Sequence, residues 1–160
     1  MNVRSARENE IDQLAGIWYD RWRDAHERIL PEELARDRTL LSFKARLREA
    51  LANVRVAGPP EQPAGFSILK DDELYQLYVS KPSRGAGVAA ALVADAEDLL
   101  AERGVETAWL ACAIGNDRAA RFYEKCGWRR VGNRISVLET AKGPFPLEVW
   151  RYEKILARRA

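Results

Sequence analysis

Cysteine, methionine and histidine are nearly missing from this sequence of 160 residues, which holds two Cys, one Met and one His. Cys112 and Cys126 have neither the number nor the close spacing of a disulfide framework or a zinc site, so both read as packed thiols and no metal is expected. No stretch approaches the roughly twenty apolar residues that cross a bilayer, and Met1-Asn2-Val3-Arg4-Ser5 lacks the apolar run of a secretory signal. The expectation is a cytoplasmic protein without a membrane partner. Nor is there an excess of one charge: the net charge is +2, and Arg and Lys are interleaved with Asp and Glu. The concentrated basic stripe of a nucleic-acid binder is therefore absent, and Arg129-Arg130 and Arg158-Arg159 read as solvated surface. Repeats, low-complexity tracts and linkers are also lacking. With 47% apolar and 31% charged residues, residues 1–160 read as a single domain with one core.

What is present is an alternation of helical and strand patterns. Val3 to Arg7 suits a short strand, and Asn9 is placed to cap a helix carrying Ile11, Leu14, Ala15, Trp18, Trp22 and Ala25 on one face. Pro31 with Glu32 and Glu33 opens a second helix whose buried stripe is Leu40, Phe43, Leu47, Ala50 and Leu51. Val54 to Ala57, Ala64 to Leu69 and Glu73 to Val79 read as an antiparallel meander. Gly85 to Arg103 predicts a long helix with Val88, Leu92, Ala96 and Leu99 inward and Asp95, Asp98 and Glu102 toward water. Thr107 to Ala113 follows as a strand, making a right-handed crossover with Glu73 to Val79. Asn116 or Asp117 caps a short helix stopped by Gly127, and two strands, roughly Trp128 to Leu138 and Leu147 to Tyr152, end the chain. The fold class is α/β: a mixed, mostly antiparallel sheet of about seven strands, with helices on both faces and a helical pair between the first two strands.

One junction has the makings of a site. The strand ending at Val79 delivers Arg84-Gly85-Ala86-Gly87-Val88-Ala89 to the start of the long helix. Small residues let a ligand approach the backbone, and the unpaired amides of a helical first turn suit phosphate oxygens. Alone, such a turn shows only that the chain bends tightly. A P-loop is excluded because Val88 and Ala89 stand where Lys-Ser or Lys-Thr must follow the last glycine. A dinucleotide fingerprint fits poorly, since this loop has two glycines and lies deep in an antiparallel region.

Arg84-x-x-Gly87-x-Ala89, preceded by Tyr78-Val79-x-x-Pro82, resembles the signature of the GNAT superfamily of N-acetyltransferases. Further on, Asn116-x-x-Ala119-x-x-Phe122-Tyr123-Glu124-Lys125-x-Gly127-Trp128 is similar to that superfamily's following helix, with Trp128 in place of the commoner phenylalanine. The motif match spans Glu73 to Trp128, and the element order extends it from Val3 to Tyr152. The resemblance implies an acetyl-CoA-dependent N-acetyltransferase without a metal. It assigns the CoA pyrophosphate to the amides of Arg84, Gly85, Ala86, Gly87, Val88 and Ala89. It gives the pantetheine arm to the exposed backbone of Leu77 and Val79 and to the Asn116 side chain, and places the Tyr123 hydroxyl at the CoA sulfur. A homodimer is also implied, with Pro146 to Trp150 as an interface strand.

Attack of an amine on a thioester needs a neutral nitrogen, an oxyanion partner and a leaving thiolate. Tyr123 is the expected general acid and a backbone amide near Tyr78 or Val79 the oxyanion partner. Glu73, at the start of the central strand beside Asp71 and Asp72, is the expected base. In this superfamily the first two helices often wall the acceptor pocket, which makes Trp22 a substrate contact and the sole histidine, His26, a substrate contact or base, with Tyr19 alongside as core or wall. The acceptor is an amine on a small molecule or a protein. The alternative is a catalytically silent acyl-CoA-binding sensor on the same fold.

Overall fold

The structure, a computed structural model, describes residues 2–156. Seven strands form one sheet in the order β1-β2-β3-β4-β5-β7-β6. They are β1 (Val3–Ser5), β2 (Val54–Ala57), β3 (Gly65–Lys70), β4 (Glu73–Val79), β5 (Thr107–Ala113), β6 (Arg129–Thr140) and β7 (Gly143–Ile155). All neighbours are antiparallel except β4 and β5, which run parallel, so the mixed sheet expected from the sequence is present. The helices are α1 (Ile11–His26), α2 (Glu32–Asp37), α3 (Leu40–Ala50), α4 (Val88–Glu102) and α5 (Asp117–Lys125).

The first helix does not use Asn9 as its cap. A 3-10 turn over Glu8–Glu10 precedes it, and Glu10 accepts the Arg7 amide at 2.9 Å while pairing with both Arg4 terminal nitrogens at 2.8 Å. The charge-assisted bonds from Arg4 hold the Glu10 carboxyl below its ordinary pKa. The second predicted helix is two. Thr39 and Ser42 exchange side-chain and backbone bonds as a capping box, which starts α3 afresh after the break at Arg38. This turns Leu40 outward, 40% exposed, while Phe43 and Leu47 are buried.

Two further expectations are corrected. The long helix begins at Val88, because Gly85 and Gly87 adopt φ of +78° and +81° and cannot be part of it. Asp95 does not face open water: Arg55 on β2 grips its two carboxylate oxygens at 2.9 and 3.0 Å. Leu100, not Leu99, completes the buried stripe with Val88, Leu92, Val93 and Ala96. β6 and β7 are also longer than expected, forming one extended hairpin.

The core lies on both faces of the sheet. Trp18 of α1 packs on Phe43, Phe66 and Tyr78 at ring-centroid distances of 4.7, 5.6 and 6.2 Å. On the opposite face, α4 and α5 cover Leu69, Leu74, Leu110 and Tyr152. One irregularity shapes everything that follows. Ile68 stands opposite Gln76 but Leu69 opposite Leu74, so Tyr75 is the extra residue of a bulge in β4. A bulge breaks the two-residue alternation and adds twist. Glu73, Tyr75, Gln76 and Tyr78 consequently line one cavity despite their irregular spacing.

Candidate active site

Beyond the bulge, β4 leaves β5. The two strands pair at a single position, Glu73 with Trp109, where the Trp109 amide donates to Asp72 O at 3.2 Å, and past it the ladder of β4 continues on β3 alone. The Ser80 amide donates to Ala64 O at 2.8 Å. By strand alternation, the amides of Val79 and Leu77 point the other way, into the wedge.

A groove of about 400 Å³ occupies this wedge. Its lining brings together Leu77, Val79, Arg84, Gly85, Gly87, Val88, Ala89, Asn116 and Tyr123, nearly all the residues expected for the donor. Ala86 is not in the lining, and its amide turns back to Ser83 O at 3.4 Å; that of Arg84 turns to Lys81 O at 3.3 Å. The loop thus offers fewer amides than its sequence suggests. The first helical bond is Ala91 N to Gly87 O, so the amides of Val88, Ala89 and Ala90 remain without intrahelical partners, as at any helix start. A Cβ built on Gly87 meets no atom within 4 Å, which places that face of the loop on open space. Asn116 caps α5: its Oδ1 accepts the Ala119 amide at 3.3 Å, leaving its amide group as the part available to a ligand.

Tyr123 projects from α5 between Phe122 and Tyr152, with centroids 5.4 and 6.4 Å away. Burial pushes its phenol above the ordinary range, so the hydroxyl keeps its proton. Arg21 is a residue the sequence reading missed. Its side chain is 7% exposed, it lines the same groove, and its terminal nitrogen sits 3.1 Å from Asp24 without a properly formed hydrogen bond. The same Asp24 oxygen accepts from Arg84 at 3.3 Å, so one carboxylate ties α1 to the glycine loop. The available signal was a cation between Trp18 and Trp22 on an otherwise apolar helical stripe.

A second cavity, about 370 Å³, holds Glu73, Trp22 and His26. Glu73 is therefore not beside Tyr123. Tyr78 lines both cavities. Burial raises the Glu73 pKa to about 7, against the pull of Lys70 and Arg134. His26 packs against Trp22 with ring centroids 5.4 Å apart and planes tilted by 42°, and its Nδ1 lies 3.1 Å from Trp22 O. A carbonyl only accepts, so Nδ1 carries the hydrogen and Nε2 keeps its lone pair. Burial lowers the His26 pKa to about 4, which makes the imidazole neutral at physiological pH.

This neutrality has a cost in acid. A histidine pKa depressed from 6.5 to about 4 contributes stability that is complete above pH 6.5 and lost as pH falls through 4, on the order of 3 kcal/mol. Glu73, with its raised pKa, acts in the opposite sense, so the histidine part must be isolated by difference. His26→Asn retains a donor for Trp22 O and should lose less stability than the parent between pH 6.5 and 4. Thermal melts across that range check it, and parallel curves would remove His26 as a cause.

Among the described residues there is no group of three His, Cys, Asp or Glu side chains able to hold a metal, and no helix long and apolar enough to cross a membrane.

The acetyltransferase (GNAT) family profile matches residues 11–128. The peptidyl-lysine N-acetyltransferase YjaB of Escherichia coli strain K12 is 32% identical over 151 residues, which cover 92% of this chain and 93% of that protein. A GCN5-related N-acetyltransferase from Rhodopseudomonas palustris superposes with a TM-score of 0.75 at 22% identity, over 97% of this chain and 95% of the other. The protein yncA of Salmonella typhimurium, solved with its cofactor acetyl-CoA, gives 0.66 at 16% identity, over 100% and 96% of the two chains. The seven-stranded sheet, the glycine loop delivered to α4 and the match along most of the sequence agree: the chain belongs to the GNAT acetyltransferase family, as an acetyl-CoA-dependent N-acetyltransferase.

Proposed function

We propose that the protein moves an acetyl group from acetyl-CoA to a primary amine by direct attack in a ternary complex, with the donor in the wedge groove and the acceptor in the cavity lined by Glu73, Trp22 and His26. The observation that carries this reading is that Tyr78, on the stretch of β4 that has left β5, lines both cavities. The groove fits a donor of this kind. Its inner edge presents the amides of Leu77 and Val79 to an extended, amide-bearing arm, and the start of α4 presents unpaired amides to a diphosphate. Arg21 and Arg84 add positive charge along the same wall.

The residues divide the work by their surroundings. A protonated Tyr123 donates to the departing thiolate, and a backbone amide beside Tyr78 or Val79 takes the oxyanion. A carboxyl with a pKa of about 7 is half ionised at neutral pH, suited to accept the amine's proton directly or through a water. Cys112 lines neither cavity, and burial pushes its thiol to about 12, far from the thiolate that a covalent route would need. This supports direct transfer. The E. coli relative is named for peptidyl-lysine, so an exposed protein amine belongs in the acceptor panel beside small amines.

Incubation with acetyl-CoA and that panel, following free thiol, tests the reading. Amine-dependent release is expected; no release with any amine, despite measured CoA binding, would leave a binding module instead. Glu73→Gln should lower turnover at neutral pH on the order of tenfold to a hundredfold, partly recovered at high pH where free amine is abundant. Because the carboxylate is the active form, the wild-type rate rises with pH through about 7, and the variant lacks that limb. Identical profiles would eliminate Glu73 as base.

A further inference from the structure

The acceptor cavity has a second charged end. Its wall on the α2 and α3 side carries Arg38 and Arg46, two cations that neither the glycine loop nor the expected chemistry uses. Arg38 is 5% exposed at its side chain, and its NH1 donates to Glu139 O at 3.1 Å, with the edge of Asp37 at 3.4 Å. That Asp37 is itself committed elsewhere, its other oxygen accepting the Ala141 amide at 2.6 Å. Arg46 donates to the Tyr75 hydroxyl at 2.9 Å and lies over the Trp18 ring at 4.4 Å. Among the described residues no carboxylate stands within 4 Å of Arg46.

A guanidinium offers five donors in a planar fork. Here two forks share a cavity wall, and most of their donors have no partner from the chain. Burial, followed by the Arg46 charge, lowers the Arg38 pKa, which is the mark of a wall short of negative charge. Such an arrangement is costly unless something anionic completes it. A structural tie between α3 and the sheet would need neither the second cation nor the unused donors. The carboxylates of the cavity do not complete it: Asp71 and Asp72 are exposed at the β3–β4 turn, and Glu73 is answered by Lys70, Arg134 and Arg151.

We infer that the acceptor carries a carboxylate beside its amine, seated on Arg38 and Arg46, so that the substrate class is a small amino acid or a similar amino-carboxylate. This rests on the second cavity being the acceptor site. A planar carboxylate suits the fork geometry of Arg, whereas a polyamine or a lysine side chain in a basic peptide brings positive charge against these two cations. The amine would lie toward Glu73 and Tyr78 and the carboxylate toward α3.

The test is a set of matched acceptors: free α-amino acids and 4-aminobutyrate, their carboxamides, and the amines lacking the group altogether. Each is assayed for thiol release with acetyl-CoA, and in parallel for binding to the CoA-loaded protein by calorimetry. Carboxylate members should exceed their amides on the order of tenfold to a hundredfold in kcat/KM or affinity. In Arg46→Met that ratio should collapse toward one, with Arg46→Lys restoring part of it; loss of fold would lower acids and amides together and leave the ratio standing. Equal or better use of amides and plain amines overturns the carboxylate inference while acetyl transfer survives, as does the absence of binding by every carboxylate member. Arg46-dependent binding of carboxylates without thiol release has the opposite meaning: the anion seat stands and the enzyme reading falls.

Discussion

Gly87→Leu is expected to fold and to lose acetyl-CoA. The fold should survive because a Cβ at this position meets no atom within 4 Å, so the new side chain starts into open space. Its backbone cost arises from φ of +81°, about 1–2 kcal/mol for a residue with a Cβ, which a domain of ordinary stability absorbs. Gly87 lines the wedge groove, so the new side chain is expected to enter the space proposed for the donor. An isobutyl group there keeps a diphosphate from the amides at the start of α4, and losing two charge-assisted bonds is worth about 3–6 kcal/mol, a hundredfold to ten-thousandfold in affinity. Calorimetric titration with CoA measures it, alongside a melting curve in the absence of CoA. Undiminished affinity in a folded variant would show that the phosphates lie elsewhere.

Tyr123→Phe should have the complementary effect. The ring contacts with Phe122 and Tyr152 are kept, and among the described residues the hydroxyl makes no hydrogen bond whose loss would disturb the fold. Donor affinity should therefore change little. Turnover should fall by about 10² to 10⁴, the usual share of a general acid. Because burial holds the phenol protonated throughout the working range, the wild-type enzyme should show no alkaline loss from Tyr123 near the ordinary phenol pKa. A falling kcat with unchanged donor affinity supports the assignment, whereas unchanged kcat would confine Tyr123 to packing.

Much of this was legible in the residues because the signals were local. Gly85, Gly87 and the apolar spacing of Val88, Leu92 and Ala96 mark a turn into a helix wherever they occur, and Asn116 at the head of an amphipathic stretch marks a cap. The bulge at Tyr75 was not legible. Glu73-Leu74-Tyr75-Gln76-Leu77-Tyr78-Val79 mixes apolar and polar letters without a clean two-residue rhythm, so only the partner strand shows where the extra residue sits. The break between α2 and α3 escaped notice for a related reason. Thr39 and Ser42 cap α3 without glycine or proline to punctuate the sequence, and the Arg38 bond to Glu139 O spans 101 positions. Long-range pairings of this kind decide which cations face a cavity, which is why Arg38 and Arg46 became visible only with the tertiary structure, whereas Arg21 stood out between Trp18 and Trp22 in the sequence.

The open stretch of β4 also bears on how the protein avoids misassembly. Unpaired strand edges usually lie at the rim of a sheet, where they invite another chain to add on and seed aggregates. Here the rim strand β6 carries Arg129, Arg130 and Arg134, cations of the kind that discourage such addition. The open edge of β4, unlike the rim strands β1 and β6, is inside the molecule, fenced by α4, α5 and the two arginines of α1 and the glycine loop. A foreign β-strand could reach that edge only past α4 and α5, so the protein keeps an adhesive edge open to a groove and away from its own unfolded neighbours.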